Sequence, residues 1–234
     1  EMMDKLGDKI KSKIVAISVG VPVIPGVEKP ITSEEEALKV ADYCGYPVMV
    51  KAAAGGGGRG MRIVRRKEDL LDAFRSAKNE AKKAFGIDDM FIEKYIEGPK
   101  HIEIQVLGDK YGNIVHLYER DCSIQRRHQK VIEISPAVKL SPEVREAICN
   151  DALKIAKAVN YLNAGTLEFL VDMHGNHYFI EMNPRVQVEH TITEMVTGID
   201  IVQSQILIAE GYKLNSKEIG IYSQEDIKPR GYAI

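Results

Sequence analysis

The sequence predicts an α+β fold in which antiparallel sheets carry flanking helices. Strand-like segments mostly follow one another through short turns, and helical segments occur singly between them. This order differs from the regular strand–helix alternation of a doubly wound parallel sheet. With 234 residues, of which 44% are hydrophobic and 28% charged, the chain can bury a sizeable core in one domain or two small ones.

Composition argues against several classes of function. The 32 Lys and Arg residues nearly balance 34 Asp and Glu residues, so the net charge of −2 favours neither a nucleic-acid nor a membrane partner. No apolar run approaches the roughly 20 residues that span a bilayer, and no signal-peptide pattern is present. The three widely spaced cysteines (Cys44, Cys122 and Cys149) argue against a disulfide framework or zinc site and favour a reducing, cytoplasmic compartment.

Three helices and three strands are predicted in the first part of the chain. Helical spacing of apolar residues predicts a helix over residues 8–19, ended by Gly20 and Pro22. Ser33 and Glu36 match a capping box for a second helix that ends near Gly45. Strands are predicted over residues 46–53, 61–64 and 90–95. A long helix over residues 67–85 places one apolar face toward the core: Leu70, Leu71, Phe74, Ala77 and Ala81.

Hairpins dominate the rest of the chain. Residues 101–106 alternate strictly between polar and apolar, and the turn at residues 109–113 leads to a strand over residues 114–118. Ser141 and Pro142 begin a helix that runs to about Val159. Residues 165–172 and 178–182 form a second hairpin, and a last helix covers residues 199–210.

A glycine loop connects the strands over residues 46–53 and 61–64. It has four consecutive glycines between Lys51 and Arg59. Glycines let backbone N–H groups approach phosphate oxygens, and Lys51 adds a positive charge at a strand end. The loop lacks the lysine-serine or lysine-threonine ending of a P-loop. Its pattern therefore predicts phosphate binding, with a flexible hairpin loop as the alternative.

Two carboxylates face each other across the second hairpin if its turn is centred between residues 174 and 175. Glu168 then lies opposite Glu181, and Asn183 follows on the same face. Two carboxylates and an amide oxygen suit Mg²⁺. The alternative is a solvated polar face, but Leu167, Phe169 and other apolar residues cover the opposite side of the same strand.

Polar residues continue at every second position beyond this hairpin. If the chain stays extended, they line one side of a cleft, although Pro184 must interrupt the ladder there. The row consists of Glu181, Asn183, Arg185, Gln187 and Glu189. Residues 126–130 form a basic cluster that, by itself, is typical of a charged surface.

Taken together, these segments resemble the ATP-grasp fold and, within it, the biotin carboxylase family. The resemblance runs end to end and is most specific over residues 119–130 and 181–190. Residues 191–200 are most similar to the version in bacterial pyruvate carboxylases, while acetyl-CoA and propionyl-CoA carboxylases stay open. The resemblance implies that residues 1–25 begin the ATP-grasp core, that residues 26–95 form a glycine-loop lid (the B subdomain), and that residues 96–234 form the C-terminal core.

The resemblance also implies roles for matching positions. ATP phosphates would contact Lys9, Lys51, Gly57 and Gly58, and adenine would meet Glu93 and the backbone at Lys94, Tyr95 and Ile96. The ribose and phosphates would lie near His101, Gln125 and His128. Magnesium, or manganese, would bind Glu168, Glu181 and Asn183. Bicarbonate would be surrounded by Lys130, Arg185, Gln187 and Val188, with Glu189 as the general base.

The implied reaction is ATP-dependent carboxylation of biotin by bicarbonate through carboxyphosphate. Biotin would be carried on a partner domain, and the parent enzyme would be a homo-oligomer. Family members have further segments before and after the matching region, so the chain is expected to be an excised piece of a longer ligase and to need those segments for full carboxylation. Two alternatives are carbamoyl-phosphate synthesis, which also uses carboxyphosphate, and a non-catalytic module that binds MgATP.

Overall fold

The computed structural model describes residues 9–27, 29–52, 60–86, 88–126 and 129–234; for Lys9, Ile10 and Phe85 it describes only the backbone. The chain divides into two compact units. The first comprises Glu1–Val23 and Gly98–Ile234, and the second comprises Ile24–Glu97.

The elements of the described residues are given in chain order. The helices are α1 (Lys9–Ser18), α2 (Glu34–Cys44), α3 (Leu70–Phe85), α4 (Pro142–Ala158), α5 (His190–Thr197) and α6 (Ile201–Glu210). The strands are β1 (Val48–Ala52), β2 (Met61–Val64), β3 (Met90–Lys94), β4 (Lys100–Gly108), β5 (Ile114–Arg126), β6 (Gln129–Ile134), β7 (Asn163–Val171) and β8 (His177–Asn183). Short 3₁₀ segments lie at Lys67–Asp69 and Gln224–Asp226.

The second unit is a three-stranded antiparallel sheet, in the order β2-β1-β3, covered by α2 and α3. Ser33 caps α2 as predicted, because its hydroxyl accepts from the Glu36 amide at 3.1 Å. The Glu36 carboxylate accepts from the Thr32 amide at 2.8 Å. The predicted core face of α3 is buried, apart from Leu71, which is half-buried.

The first unit contains a five-stranded antiparallel sheet in the order β6-β5-β4-β7-β8. Helices α1 and α4 pack on its apolar face, while α5 and α6 contact β5 and β7. The apolar face is fully buried at residues such as Ile102, Ile104, Leu167, Phe169 and Phe179. The two antiparallel sheets with flanking helices confirm the predicted α+β class.

Two hairpin turns of this sheet use the same five-residue chemistry. Asp109 and Asp172 each accept from the backbone amides two and four residues later, at 2.8–3.0 Å. The side-chain amides of Asn113 and Asn176 donate to the second carboxylate oxygen of Asp109 and Asp172, at 2.7 and 2.8 Å respectively. These side chains replace the backbone partners that a tight turn leaves unpaired, which explains the turns predicted at both places.

A bulge sets the register of the hairpin formed by β7 and β8. Near the turn, Val171 pairs with His177, so the turn is centred on residue 174 and not between 174 and 175. One extra residue in β8, at Ile180, then shifts the register and places Glu181 opposite Glu168. The predicted pairing of the two carboxylates is confirmed. Without the bulge, Glu181 would lie on the apolar face, because side chains alternate along a strand.

Strand β5 and helix α5 differ from the sequence prediction or add to it. Strand β5 is much longer than the predicted segment of residues 114–118, and α5 was not predicted. Helix α4 begins as predicted, where the Ser141 hydroxyl accepts from the Val144 amide at 3.3 Å. All three cysteines are free and buried.

Among the described residues, no single helix is long and apolar enough to cross a membrane. Taken together, α5 and α6 have the length and composition of a membrane-crossing segment, but the pair is bent by 93° at the break between the two helices.

Candidate active site

Four charged residues lie side by side across the sheet of the first unit. Arg120 on β5 faces Glu103 on β4, and Glu103 faces Glu168 on β7. Glu168 in turn faces Glu181 on β8. Because directly opposite residues share a face, these side chains form one row on the face opposite the apolar core. The register of four strands therefore brings together residues that are up to 78 positions apart in the sequence.

Glu168 lies among four polar side chains, and its own side chain is nearly buried. Its Oε1 accepts from the Asn183 amide at 2.8 Å and lies 3.5 Å from both Gln187 Nε2 and Lys130 Nζ. Its Oε2 lies 3.0 Å from His101 Nε2. Four residues predicted as ligands of different groups thus surround one carboxylate.

Lys130 connects three carboxylates. Its Nζ lies 2.7 Å from Glu189 Oε1 and 3.5 Å from Glu168 Oε1, and it also forms a close ion pair with Glu103. Burial lowers the pKa of Lys130, but the neighbouring carboxylates raise it by more than burial lowers it, so the net shift is upward. The ammonium group is therefore charged at neutral pH and supplies a fixed positive charge.

His101 provides a second positive charge. Its Nε2 lies between Glu168 and Glu103, 3.4 Å from Glu103 Oε1. These contacts are ion pairs and not aligned hydrogen bonds among the described atoms. Burial lowers the pKa of His101, but the two carboxylates more than offset that effect and raise it to about 9. The pKa of Glu103 is lowered, because its cationic neighbours outweigh its burial.

Arg120 was not predicted as a site residue, although it lies within the segment that carries the resemblance. Its side chain is fully buried and donates to Gln105, Thr193, Thr166, Gln187 and Glu103 at 2.8–3.4 Å. Burial of a guanidinium requires partners for its five N–H groups, and these acceptors meet that requirement. Arg120 lies beyond the predicted strand of residues 114–118, and its acceptors come from four other segments, so the sequence pattern could not reveal this role.

The predicted extended row beyond β8 is wrong. The strand ends at Asn183, and the chain then turns into α5, with Glu189 in the N-cap position. Gln187 and Glu189 still reach Glu168 and Lys130 because this turn folds back over the sheet. Arg185 is exposed, with its guanidinium 3.4 Å from Asn183 Oδ1, and Val188 is 91% exposed. Val188 therefore lies outside the cluster, whereas Arg185 contacts it through Asn183.

The second unit contains the residues predicted to contact adenine, together with Lys51. The Lys51 ammonium forms an ion pair with Glu93 at 2.6 Å. Lys94 Nζ donates to the carbonyls of Gly45 and Tyr46, both at 2.9 Å, so this side chain stabilises the turn after α2.

Of the other residues predicted to contact the nucleotide, some bond to or pack against neighbouring groups of the chain, and some lie outside the residues that the structure describes. The Tyr95 amide donates to the Pro47 carbonyl at 3.0 Å, and Ile96 is buried. In the first unit, the Gln125 amide donates to the Cys122 carbonyl at 3.0 Å. Gly57, Gly58, His128 and the side chain of Lys9 lie outside the described residues.

The residues predicted to hold a metal ion offer a suitable set of donor atoms. Glu168 and Glu181 face each other on adjacent strands, and Asn183 lies on the same side of β8. Asn183 donates from its Nδ2 to Glu168, and its Oδ1, the atom that a metal ion would bind, lies 3.4 Å from the Arg185 guanidinium. Carboxylate and amide oxygens are the donors that Mg²⁺ prefers. His101, Glu103 and Glu168 also place potential ligand atoms within 4.8 Å of one another.

Comparison with known proteins places this site in a family. A family described as the carbamoyl-phosphate synthase L chain, ATP-binding domain, matches residues 8–217. A pyruvate carboxylase of Bacillus subtilis is 58% identical over 234 residues, covering 100% of this chain and 20% of that protein. Human mitochondrial pyruvate carboxylase is 55% identical over the same length, again covering 20% of that protein. The chain thus spans about a fifth of these relatives.

Solved structures with similar folds carry related ligands. The biotin carboxylase of Campylobacter jejuni, in a β-γ-ATP complex, has a TM-score of 0.85 and 53% identity, covering 99% of this chain and 50% of that one. The biotin carboxylase domain of the Hydrogenobacter thermophilus 2-oxoglutarate carboxylase was solved with MgADP, ADP and bicarbonate. It has a TM-score of 0.83 and 55% identity, covering 98% of this chain and 49% of that one.

Proposed function

The chain belongs to the family of the carbamoyl-phosphate synthase L chain ATP-binding domain, and we propose that it performs the ATP-dependent carboxylation of biotin by bicarbonate. It would do so as the biotin carboxylase part of a larger carboxylase similar to pyruvate carboxylase. The observation that carries this proposal is the ammonium of Lys130, which lies 2.7 Å from Glu189 and close to Glu168. This contact places a cation that can bind an anion, Lys130, next to a carboxylate that can act as a base, Glu189.

Bicarbonate is a small anion and a poor nucleophile, so a site for it needs both charge and a base. Lys130 and the amide of Gln187 offer N–H donors next to each other on the same carboxylate. Arg185 and the backbone at Val188 would complete the anion site. Glu189 would accept the bicarbonate proton as the base, a role that typically contributes ~10²–10⁴-fold to a rate.

The reaction would proceed in two steps. A bicarbonate oxygen forms a bond to the γ-phosphorus of ATP as Glu189 takes the bicarbonate proton, and the bond to the β,γ-bridging oxygen breaks to release ADP. The resulting carboxyphosphate transfers its carboxyl group to a ureido nitrogen of biotin. The departing phosphate takes the proton of that nitrogen. Lys130 and His101 would hold the negative charge that develops during phosphoryl transfer.

Glu168, Glu181 and Asn183 would hold Mg²⁺, or Mn²⁺, in this scheme. When bound, the ion would neutralise charge on the ATP phosphates. Residues 26–95 would form the lid over the nucleotide. The proposed nucleotide contacts are Lys9, Lys51, Gly57, Gly58, Glu93, Lys94, Tyr95, Ile96, His101, Gln125 and His128.

The partners and location of the whole protein also belong to the proposal. A biotin carrier domain would present the acceptor nitrogen, and the whole enzyme would be a cytoplasmic homo-oligomer. The three buried, free cysteines agree with a reducing compartment.

Phosphate release tests the proposal. With saturating MgATP, release should depend on bicarbonate and increase with free biotin. Glu189→Gln should lower it by at least about 100-fold, since the base is lost, while calorimetry shows MgATP affinity within about threefold of the original. Glu35→Gln, at an exposed glutamate on α2, is the matched control. Release that ignores bicarbonate, or full activity of Glu189→Gln, would refute this assignment.

A second candidate, carbamoyl-phosphate synthesis, is favoured by the description of the family that matches. Both reactions pass through carboxyphosphate, so the same assay separates them by the second acceptor. Stimulation by ammonia and not by biotin would support the second candidate. MgATP binding without any bicarbonate-dependent release would indicate a non-catalytic module.

A further inference from the structure

We propose that Arg120 is a positioning residue that orients Gln187 toward bicarbonate; this inference rests on the proposed function. Arg120 is fully buried beneath the candidate site. Its terminal nitrogen Nη2 donates to Gln187 Oε1 at 2.9 Å. On the same amide group, Gln187 Nε2 lies 3.5 Å from Glu168 Oε1. The guanidinium thus holds the oxygen end of this amide and leaves the nitrogen end directed toward Glu168.

Only one orientation of the Gln187 amide agrees with these neighbours. A reversed amide would place its N–H donors against the cationic guanidinium of Arg120. It would also place its carbonyl oxygen against the Glu168 carboxylate. Both contacts are repulsive, and burial of Gln187 removes the water that could relieve them. Arg120 therefore fixes an N–H donor at the place where the substrate anion would need one.

The guanidinium is itself held in one plane by several acceptors. Nη1 donates to Gln105 Oε1 at 2.8 Å and to Thr193 Oγ1 at 3.1 Å. Nη2 also donates to Thr166 Oγ1 at 3.1 Å. Since Thr193 lies on α5, Arg120 ties the segment that carries Gln187 to the strands β4 and β7. A lysine has the same charge but cannot reproduce this planar set of donors.

Arg120→Lys should therefore weaken bicarbonate recognition selectively. Loss of an outer hydrogen-bond partner of a site typically costs about 10–100-fold in affinity or activity. We expect the KM for bicarbonate to rise by about 10-fold or more, with the KM for ATP changed by less than about threefold. The measurement is phosphate release at varied bicarbonate, together with calorimetric titration of bicarbonate in the presence of a non-hydrolysable ATP analogue.

A double-mutant cycle separates positioning from a purely structural role. In a Gln187→Ala background, Arg120→Lys should add little to the KM for bicarbonate, because the amide that it orients is absent. If the effects of the two substitutions on the KM for bicarbonate multiply, or if the KM values for bicarbonate and ATP rise together, the inference is wrong. If the unsubstituted chain neither binds bicarbonate nor needs it for turnover, the proposed function itself fails.

Thr193→Val keeps the test possible if Arg120→Lys does not fold. This substitution removes one acceptor of the guanidinium at nearly constant volume and leaves all charges in place. It should raise the KM for bicarbonate by about threefold and leave the KM for ATP unchanged. An unaltered KM for bicarbonate in a folded Thr193→Val variant would overturn the inference.

Discussion

Replacing Lys130 with methionine would remove the cation that lies among three carboxylates while keeping most of the side-chain volume. The Lys130 side chain is 22% exposed, and its partners Glu103, Glu168 and Glu189 are 0%, 8% and 11% exposed. At 2.7 Å from Glu189, one such pair interacts by roughly 6 kcal/mol with an effective dielectric constant of about 20. Desolvation of both partners opposes much of this attraction.

The net cost of the substitution comes from carboxylates left without their cation. Breaking a buried ion pair from one side typically costs about 3–5 kcal/mol. Arg120 and His101 still neutralise Glu103, so we expect the lower end, about 3 kcal/mol. For a chain of this length that corresponds to a decrease in Tm of about 6–12 °C. Thermal and urea unfolding of the metal-free protein measure it.

The dependence on pH and a matched control make this prediction specific. Because the pKa of Lys130 is raised above its ordinary value of 10.5, its contribution is fully present below that pH and is lost only above it. The loss in Lys130→Met should therefore be constant between about pH 7 and 8, where His101, with a pKa of about 9, also stays charged. Lys39 forms a pair with Glu35, also at 2.7 Å, but both side chains are more than 70% exposed. Lys39→Met should have no resolvable effect.

Two results would refute the reasoning about Lys130. A loss below about 1 kcal/mol would mean that the three carboxylates do not depend on this cation. A loss no larger than that of Lys39→Met would mean that burial of the pair does not determine its strength.

Three further predictions concern stability. Burial lowers the pKa of His116 from 6.5 to about 4, so stability should be full above pH 6.5 and fall by up to about 3 kcal/mol as the pH decreases through 4. His116→Gln should flatten this dependence in urea titrations. Gly108→Ala would place a Cβ 2.2 Å from the Tyr161 carbonyl and should cost about 1–3 kcal/mol or more in thermal unfolding. Ser141→Ala should cost about 1 kcal/mol, measured in the same way, by loss of the cap at the Val144 amide.

Elements with local signals were predictable from the sequence. The caps at Ser33 and Ser141 and the turn at Asp109 depend on side chains that bond to backbone groups a few residues away. The pairing of Glu168 with Glu181 was predicted correctly, but from a turn centre half a residue away from the observed one, and the bulge at Ile180 restores the pairing. Even there, the bulge at Ile180 could not be read from the alternation pattern.

The chemistry of the site required the tertiary structure. Alternation along β4 predicted a polar face, yet Glu103 and Gln105 on that face are fully buried. Strand alternation shows which side chains share a face but not what packs on it, and Thr193 of α5 packs against Arg120 on that face.

Periods and bonds within a few residues were enough to predict most strands, the helix caps and both hairpin turns from the sequence. Only the tertiary structure decided that Lys130, His101 and Arg120 meet the carboxylates of the site, because their separation in sequence is bridged by the register of the five-stranded sheet. The opposite charges of these residues offset one another, and that effect depends on distances and burial that exist only in the folded chain.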